Sequence, residues 1–180
     1  MKIGYAQNNM FYCDWSEEDF GKLCFNDLFG CLYRMKNGTS LALEDFPANP
    51  TFEYCWIPAD LFEETVMTCF SVTPELLRSL GAWQEETGAY PYADNYLYYR
   101  DDIPDMLPMV TKRRENPDGT FTLCVAVSSL EMKTDQLFCH EVTIRPLENG
   151  GFQYVSNKIT FLPEQGLPPN YPRLPAEIRP

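Results

Sequence analysis

Residues 109–128, MVTKRRENPDGTFTLCVAVS, decide the fold class. At their centre, Asn116-Pro117-Asp118-Gly119 is a turn with a mechanism: proline presets one backbone dihedral, and glycine accepts the conformation that closes the reversal. Beyond the turn, Phe121, Leu123, Val125 and Val127 alternate with Thr122, Cys124 and Ala126, the two-residue period of a half-buried strand. Residues 109–115 are its partner. Towards the C-terminus, a connection at 129–136 leads to a strand at 137–145. Asn149-Gly150, a hairpin signal, then turns the chain into a strand at 152–161. The last third is therefore an antiparallel meander. Residues 163–180 hold six prolines and no periodicity, a tail that forms neither helix nor central strand.

Towards the N-terminus the period changes to that of helices. Phe20, Leu23, Cys24, Leu28, Cys31, Leu32 and Met35 recur at helical spacing. Ser16 with Asp19 reads as an N-terminal cap, so the expected helix runs over 16–35 and ends at Asn37-Gly38. A second helix opens at Pro58, with Leu61, Phe62, Thr65, Val66, Cys69 and Phe70 on one face. A third, short one has Thr73 as cap, Pro74 at its first position and Gly81 as terminator. Regularity fades between 82 and 108, where one strand is expected at 96–100. Helices followed by an antiparallel meander make an α+β fold, with the N-terminal helices packed on one face of a curved antiparallel β-meander. By analogy, the shape is a cystatin-like or nuclear-transport-factor-two-like cone. The organisation expected is one domain over 1–162 and a proline-rich tail over 163–180.

Composition sets the chemical limits. The 180 residues suffice for one domain with a sizeable core. Fourteen basic against 26 acidic residues give a net charge of -12, which disfavours binding to nucleic acid or to an anionic membrane surface. The charge is uneven: residues 1–110 hold 6 basic and 18 acidic residues, and 111–180 hold 8 of each. No window approaches the length of a transmembrane segment. With one histidine, a multi-histidine metal centre is excluded, and Asp101, Asp102 and Asp105 lack the calcium-loop pattern; neither metal nor cofactor is expected. The seven cysteines form no C-x-x-C pair. Most sit among apolar neighbours, which reads as small buried hydrophobes. Phosphate-binding, dinucleotide-binding, nucleophile-elbow and zincin motifs are absent.

Two constellations carry chemical interest. If Asn149-Gly150 turns tightly, Val142 pairs with Asn157 and His140 with Ile159, which makes His140 and Asn157 diagonal neighbours. Across the 129–136 connection, Cys124 is expected opposite His140 on the neighbouring strand. Cys124, His140 and Asn157 then stand in the chain order of a papain-like protease, with a thiolate formed by transfer to histidine and an asparagine orienting the ring. Against this, Cys124 lies in mid-strand without a pKa-lowering setting, and the bland reading is a satisfied histidine and a small core thiol. The second constellation is aromatic: Trp83, Tyr90, Tyr92, Tyr96 and Tyr98 suit stacking on a sugar ring or gripping a partner chain. Its alternative is that the rings bury their bodies under the helices and show only their hydroxyls.

A set of short stretches carries a resemblance: Ile57-Pro58-Ala59-Asp60-Leu61-Phe62, Val72-Thr73-Pro74-Glu75-Leu76-Leu77, Glu86-Thr87-Gly88 with Tyr90-Pro91, Asp118-Gly119-Thr120, Leu137-Phe138-Cys139-His140-Glu141-Val142-Thr143 and Phe152-Gln153-Tyr154-Val155-Ser156-Asn157. Together, over about residues 50–160, they resemble an uncharacterised domain family of clostridial cell-surface lipoproteins. The resemblance implies an extracellular, membrane-tethered domain whose lipid-bearing N-terminus lies outside this chain; the alternative is a cytoplasmic protein. It transfers no catalytic residues. The functional expectation is a non-catalytic binding or interaction module for a peptide, glycan or partner protein. The alternative is a small enzyme whose sheet pocket uses His140 as general acid/base, with Asn157 beside it.

Overall fold

Alternation along the C-terminal strands builds the larger sheet. The computed structural model describes residues 8–51, 53–94, 106–164, 166–167 and 172–179. The chain divides into two compact units, one from residues 1–23 and 100–170, the other from 24–99 and 171–180. The class is α+β: among the described residues there are three α-helices, a five-stranded antiparallel sheet that is not closed into a barrel, and a two-stranded sheet.

In the first unit the strands are β1 (Trp15–Ser16), β4 (Leu107–Glu115), β5 (Phe121–Ser129), β6 (Thr134–Pro146) and β7 (Phe152–Phe161), in the spatial order β1-β7-β6-β5-β4. The β4–β5 hairpin closes as expected. Gly119 has φ 81°, and the Asp118 carboxylate accepts from the Thr120 backbone N–H at 3.0 Å and its hydroxyl at 2.7 Å. Because side chains alternate across a strand, Val125 and Val127 share a face with Phe138 and Val142, and with Met106 and Leu137 they form the buried core. Phe11 and Tyr12, from the segment before β1, pack against the same cluster. Burying each large apolar side chain there contributes about 1.5–3 kcal/mol.

The second unit holds α1 (Phe25–Asn37), β2 (Cys55–Pro58), α2 (Ala59–Cys69), α3 (Pro74–Leu80) and β3 (Ala89–Tyr92), with β2 and β3 paired antiparallel. α1 and α2 pack with this small sheet through stacked rings: Phe29 on Phe62 at 4.9 Å, Phe62 on Tyr90 at 4.1 Å, and Phe29 edge-on to Tyr92 at 5.2 Å. The Asn26 amide donates to Pro91 O at 2.9 Å, and its oxygen accepts from the Ala82 N–H at 3.3 Å, pinning α1 to β3 and to the end of α3. Thr73 caps α3 by accepting from the Leu76 N–H at 3.3 Å. Gly38, with φ 73°, ends α1. Part of the proline-rich C-terminus packs here, with Leu174 buried, the Arg173 N–H donating to Asp27 at 3.3 Å and, against the expectation of a tail without helix, one turn of 3-10 helix over Ala176–Ile178.

Two elements differ from expectation. The first helix begins at Phe25, because Trp15 and Ser16 pair with Asn157 and Ser156 of β7, and Glu17 is held by Arg145 through two 2.7 Å hydrogen bonds. Once the backbone of Ser16 serves a strand, its side chain accepts from the Glu18 N–H in a local turn instead of starting a helix. The second difference is β2 and β3, two four-residue strands in stretches without clear alternation. The strand expected at 96–100 lies outside the described residues.

Gly30 lies in mid-α1 against β3, where an added Cβ would overlap the Tyr92 hydroxyl and meet its Cζ at 2.9 Å. Helix propensity alone favours alanine by about 1 kcal/mol. Tyr92 is buried and packed on Phe29, so its ring has no free space to yield into. Gly30→Ala is therefore expected to destabilise by about 1–3 kcal/mol, read as a lower urea midpoint with an unchanged slope; an equal or higher midpoint would show that Tyr92 gives way.

Candidate functional site

The centre of the large sheet carries the chain's one histidine. β6 and β7 pair with Val142 opposite Asn157 and His140 opposite Ile159, the expected pairs, although next to the turn the register is one residue off (Ile144 opposite Tyr154) and a shift between Thr143 and Ile144 restores it. His140 Nδ1 lies 2.7 Å from Asn157 Oδ1. An amide oxygen only accepts, so the imidazole is in the tautomer with a proton on Nδ1. The amide orientation is fixed in turn by Asn157 Nδ2, which donates to Cys13 O at 2.9 Å. The His140 ring packs against Phe11 at 5.1 Å and Phe138 at 5.9 Å, and its exposure is 0%. Burial pushes its pKa down to about 4, only partly opposed by the Asn157 hydrogen bond. At neutral pH this is an uncharged, fully covered imidazole with its Nδ1 proton committed to Asn157. It is not placed to exchange a proton with a substrate.

Cys124 does not join it. β5 and β6 pair with Val125 opposite His140 and Cys124 opposite Glu141, which is the register a symmetric 129–136 connection gives and is one residue from the expected pairing. A shift of one residue moves a side chain to the other face of the sheet. The Cys124 thiol accordingly donates to Glu141 at 3.4 Å, away from the core face. Burial, followed by that carboxylate, pushes the thiol's pKa up rather than down. A nucleophile needs the thiolate, and this setting disfavours it. The chain order of a papain-like triad is thus present without its geometry. All seven cysteines are free; Cys55 and Cys69 are buried and the other five are partly covered. Burial raises the Cys24 thiol to about 12 and Cys55 to about 11.

The aromatic constellation divides. Tyr90 is stacked on Phe62 and packed at a tilt against Trp83, with 0% exposure, and donates from its hydroxyl to Glu63 at 3.0 Å. Tyr92 is buried beside Phe29. Neither ring has a face open for stacking on a ligand, and burial raises both phenols' pKa values. Trp83 is half-buried beneath the Arg78 guanidinium, 4.8 Å from the ring centre. Tyr96 and Tyr98 lie outside the described residues, as do Asp101, Asp102 and Asp105. Among the described residues no group of three or more His, Cys, Asp or Glu side chains is arranged to hold a metal ion.

Two polar clusters escaped the sequence reading. Glu63, on the apolar face of α2, is buried and accepts from Tyr90 and from Arg78 Nε at 2.7 Å. Asp27, in the first turn of α1, is buried against the Arg173 N–H and beside Cys24, and burial raises its carboxyl pKa despite the opposing guanidinium of Arg173. The only available signal was a charged residue at an inward helical position, which periodicity alone reads as noise.

His140 fixes the sign of one pH effect. Its folded pKa lies below the unfolded value of about 6.5, so the unfolded chain binds the extra proton between about pH 6.5 and 4. Stability linked to this group is present above pH 6.5 and falls by about 3 kcal/mol as the pH drops through that window. Asp27, raised instead of lowered, acts in the opposite sense, so the effect is read as a difference between proteins. In urea unfolding from pH 7 to 4.5, wild type is expected to lose more stability than His140→Gln; parallel losses would show that the imidazole titrates alike in both states.

No curated protein matches the chain, and no solved structure does. A family model spans residues 1–173, and on that match the chain belongs to DUF6070, a family of unknown function.

Proposed function

We propose that this protein is a non-catalytic interaction module that recognises a peptide or a partner protein at the cell surface. The observation that carries the reading is the state of His140: fully covered, neutral and bonded to Asn157. A small enzyme built on this residue needs an imidazole that meets substrate, and the ring meets Phe11 and Phe138 instead. Glycan stacking loses its support with the covered rings of Tyr90 and Tyr92.

A different surface favours a protein partner. Met109, Val110, Leu130, Met132, Phe161 and Leu162 are all exposed, Leu130 by 73% and Met109 by 64%. They gather at one end of the large sheet: the start of β4, the β5–β6 connection and the end of β7, where Met109 pairs with Ala126 and Phe161 with Cys139. Apolar side chains collected at one end mark an interaction site more often than scattered ones do. The cell-surface placement is supported by the resemblance over residues 50–160. No helix of the described residues is long and apolar enough to cross a membrane.

The reading is tested by assaying wild type and His140→Gln against ester, peptide and glycoside substrates. No turnover is expected from either. Turnover by wild type that disappears in a folded His140→Gln would establish the enzyme instead.

A further inference from the structure

Strand β4 ends the large sheet. One of its edges is taken by β5, from Leu107 opposite Ser128 to Glu115 opposite Phe121, and among the described residues no strand takes the other. Every residue from Pro108 to Glu115 is exposed. A nine-residue strand with an open row of backbone donors and acceptors is a template for one more strand.

The side chains along β4 define what that strand must look like. Register places Met109, Lys112 and Arg114 on the face of Ala126, Cys124 and Thr122, and Val110 and Arg113 on the face of Val125 and Leu123. The irregularity between Val110 and Lys112 absorbs the change of phase. One end of the edge is therefore apolar on both faces, and the other is cationic on both faces. The cations are barely offset within the chain. Arg114 reaches Glu141 only at 3.6 Å with half its side chain exposed, Arg113 lies 3.9 Å over the Phe121 ring, and Lys112 has no ion-pair partner among the described residues. They form a basic run on a protein of net charge -12.

Cations, a proline and a register irregularity on an edge are the usual devices against unwanted pairing. Here they discriminate. Three adjacent cations repel a second β4 in any register that sets them opposite one another, whereas a strand bearing carboxylates gains from each. Resting on the interaction reading above, we propose that β4 takes up an extended acidic segment of a partner protein as a sixth strand, its acidic half along Lys112–Arg114 and its apolar half along Met109 and Val110.

The test uses the full chain and a short blocked peptide, valine and threonine in its first half, glutamate and threonine in its second. A sister peptide replaces glutamate with lysine, and two others are N-methylated at alternate residues in the two possible frames. The glutamate peptide is expected to bind, more weakly as salt rises, and to slow hydrogen exchange of the amides in 107–115. The lysine peptide and one N-methylated frame lose binding. Lys112→Glu with Arg114→Glu, both exposed, weakens it about tenfold at unchanged melting temperature.

Absence of binding by the glutamate peptide overturns the proposal, as do equal binding of the lysine peptide, retained binding in both N-methylated frames, or protection outside β4. Protection of 107–115 that grows with protein concentration alone would assign the edge to a second copy instead. These failures are distinct from His140-dependent turnover, which bears only on the non-catalytic reading.

Discussion

The large sheet depends on one side chain, Asn157. Its backbone sits between β1 and β6, opposite Trp15 on one side and Val142 on the other. Its oxygen takes the His140 proton and its amide donates to Cys13 O. A buried polar group without a partner costs about 1–3 kcal/mol, so the three groups stand or fall together. The consequence reaches beyond the relay. By holding Cys13 O, Asn157 lays the segment before β1 across the sheet. Phe11 then meets the imidazole, and Tyr12 reaches Phe138 at 5.7 Å. The Ile159 N–H donating to Asp14 at 2.7 Å and the Trp15 indole donating to Met10 O at 2.7 Å fasten the same segment further. The histidine is dry because a stretch over a hundred residues away in sequence is tied down over it.

The second unit solves an equivalent problem with charge. Glu63 and Glu64 are adjacent, yet consecutive helical residues point to different sides. Glu64 is exposed and bridges to Lys36 at 2.7 Å, while Glu63 turns inward. Burial of that carboxylate is sustained because Arg78 and the Tyr90 hydroxyl meet both of its oxygens or share one. Each donor depends on a neighbouring packing decision. Arg78 is carried by α3, whose cap and leading proline set its start, and Tyr90 is locked by its stack on Phe62. Removing any of these leaves a carboxylate in an apolar setting, so the polar and aromatic parts of this core are one unit.

What was legible in the sequence follows from the range of the forces involved. Local alternation and turn chemistry place the four long strands. Those signals act over a few residues. His140 stands beside Asn157 because a register shift between Thr143 and Ile144 offsets a β6–β7 turn one residue longer than the two expected. Cys124 was misplaced by one residue although its pairing was legible: a symmetric connection from Ser128 to Leu137 sets Cys124 opposite Glu141, and the register shift between Val127 and Ser129 lies beyond those pairs. The start of α1 was misread because Ser16 satisfies a capping pattern, but its backbone pairs with Ser156 in a strand far along the chain. β2 and β3 carry four residues each, too few for a period, and Pro91 reads as a breaker; it is tolerated because the sheet has only two strands. Proximity of the site residues could be read, but their burial could not, since the cover comes from Phe11.

The two ends of the sheet order are finished in different ways. At β1, two residues suffice to finish the edge: Trp15 is buried, Glu17 continues the contact through its N–H to Val155 O at 2.9 Å, and its carboxylate grips Arg145. The short strand leaves little open ladder. At β4 the same sheet ends in a nine-residue strand, eight of them exposed, without a comparable clamp among the described residues. Both edges are made of identical backbone groups, so the difference lies in the side chains each presents. One edge is closed by an aromatic ring and a bidentate ion pair; the other is lined by solvated cations and two apolar residues. A cation on an edge is inexpensive in water, so the solvated cations of β4 cost the sheet little stability. In this protein the conspicuous histidine belongs to the core, and the edge left unpaired among the described residues is the one lined with cations.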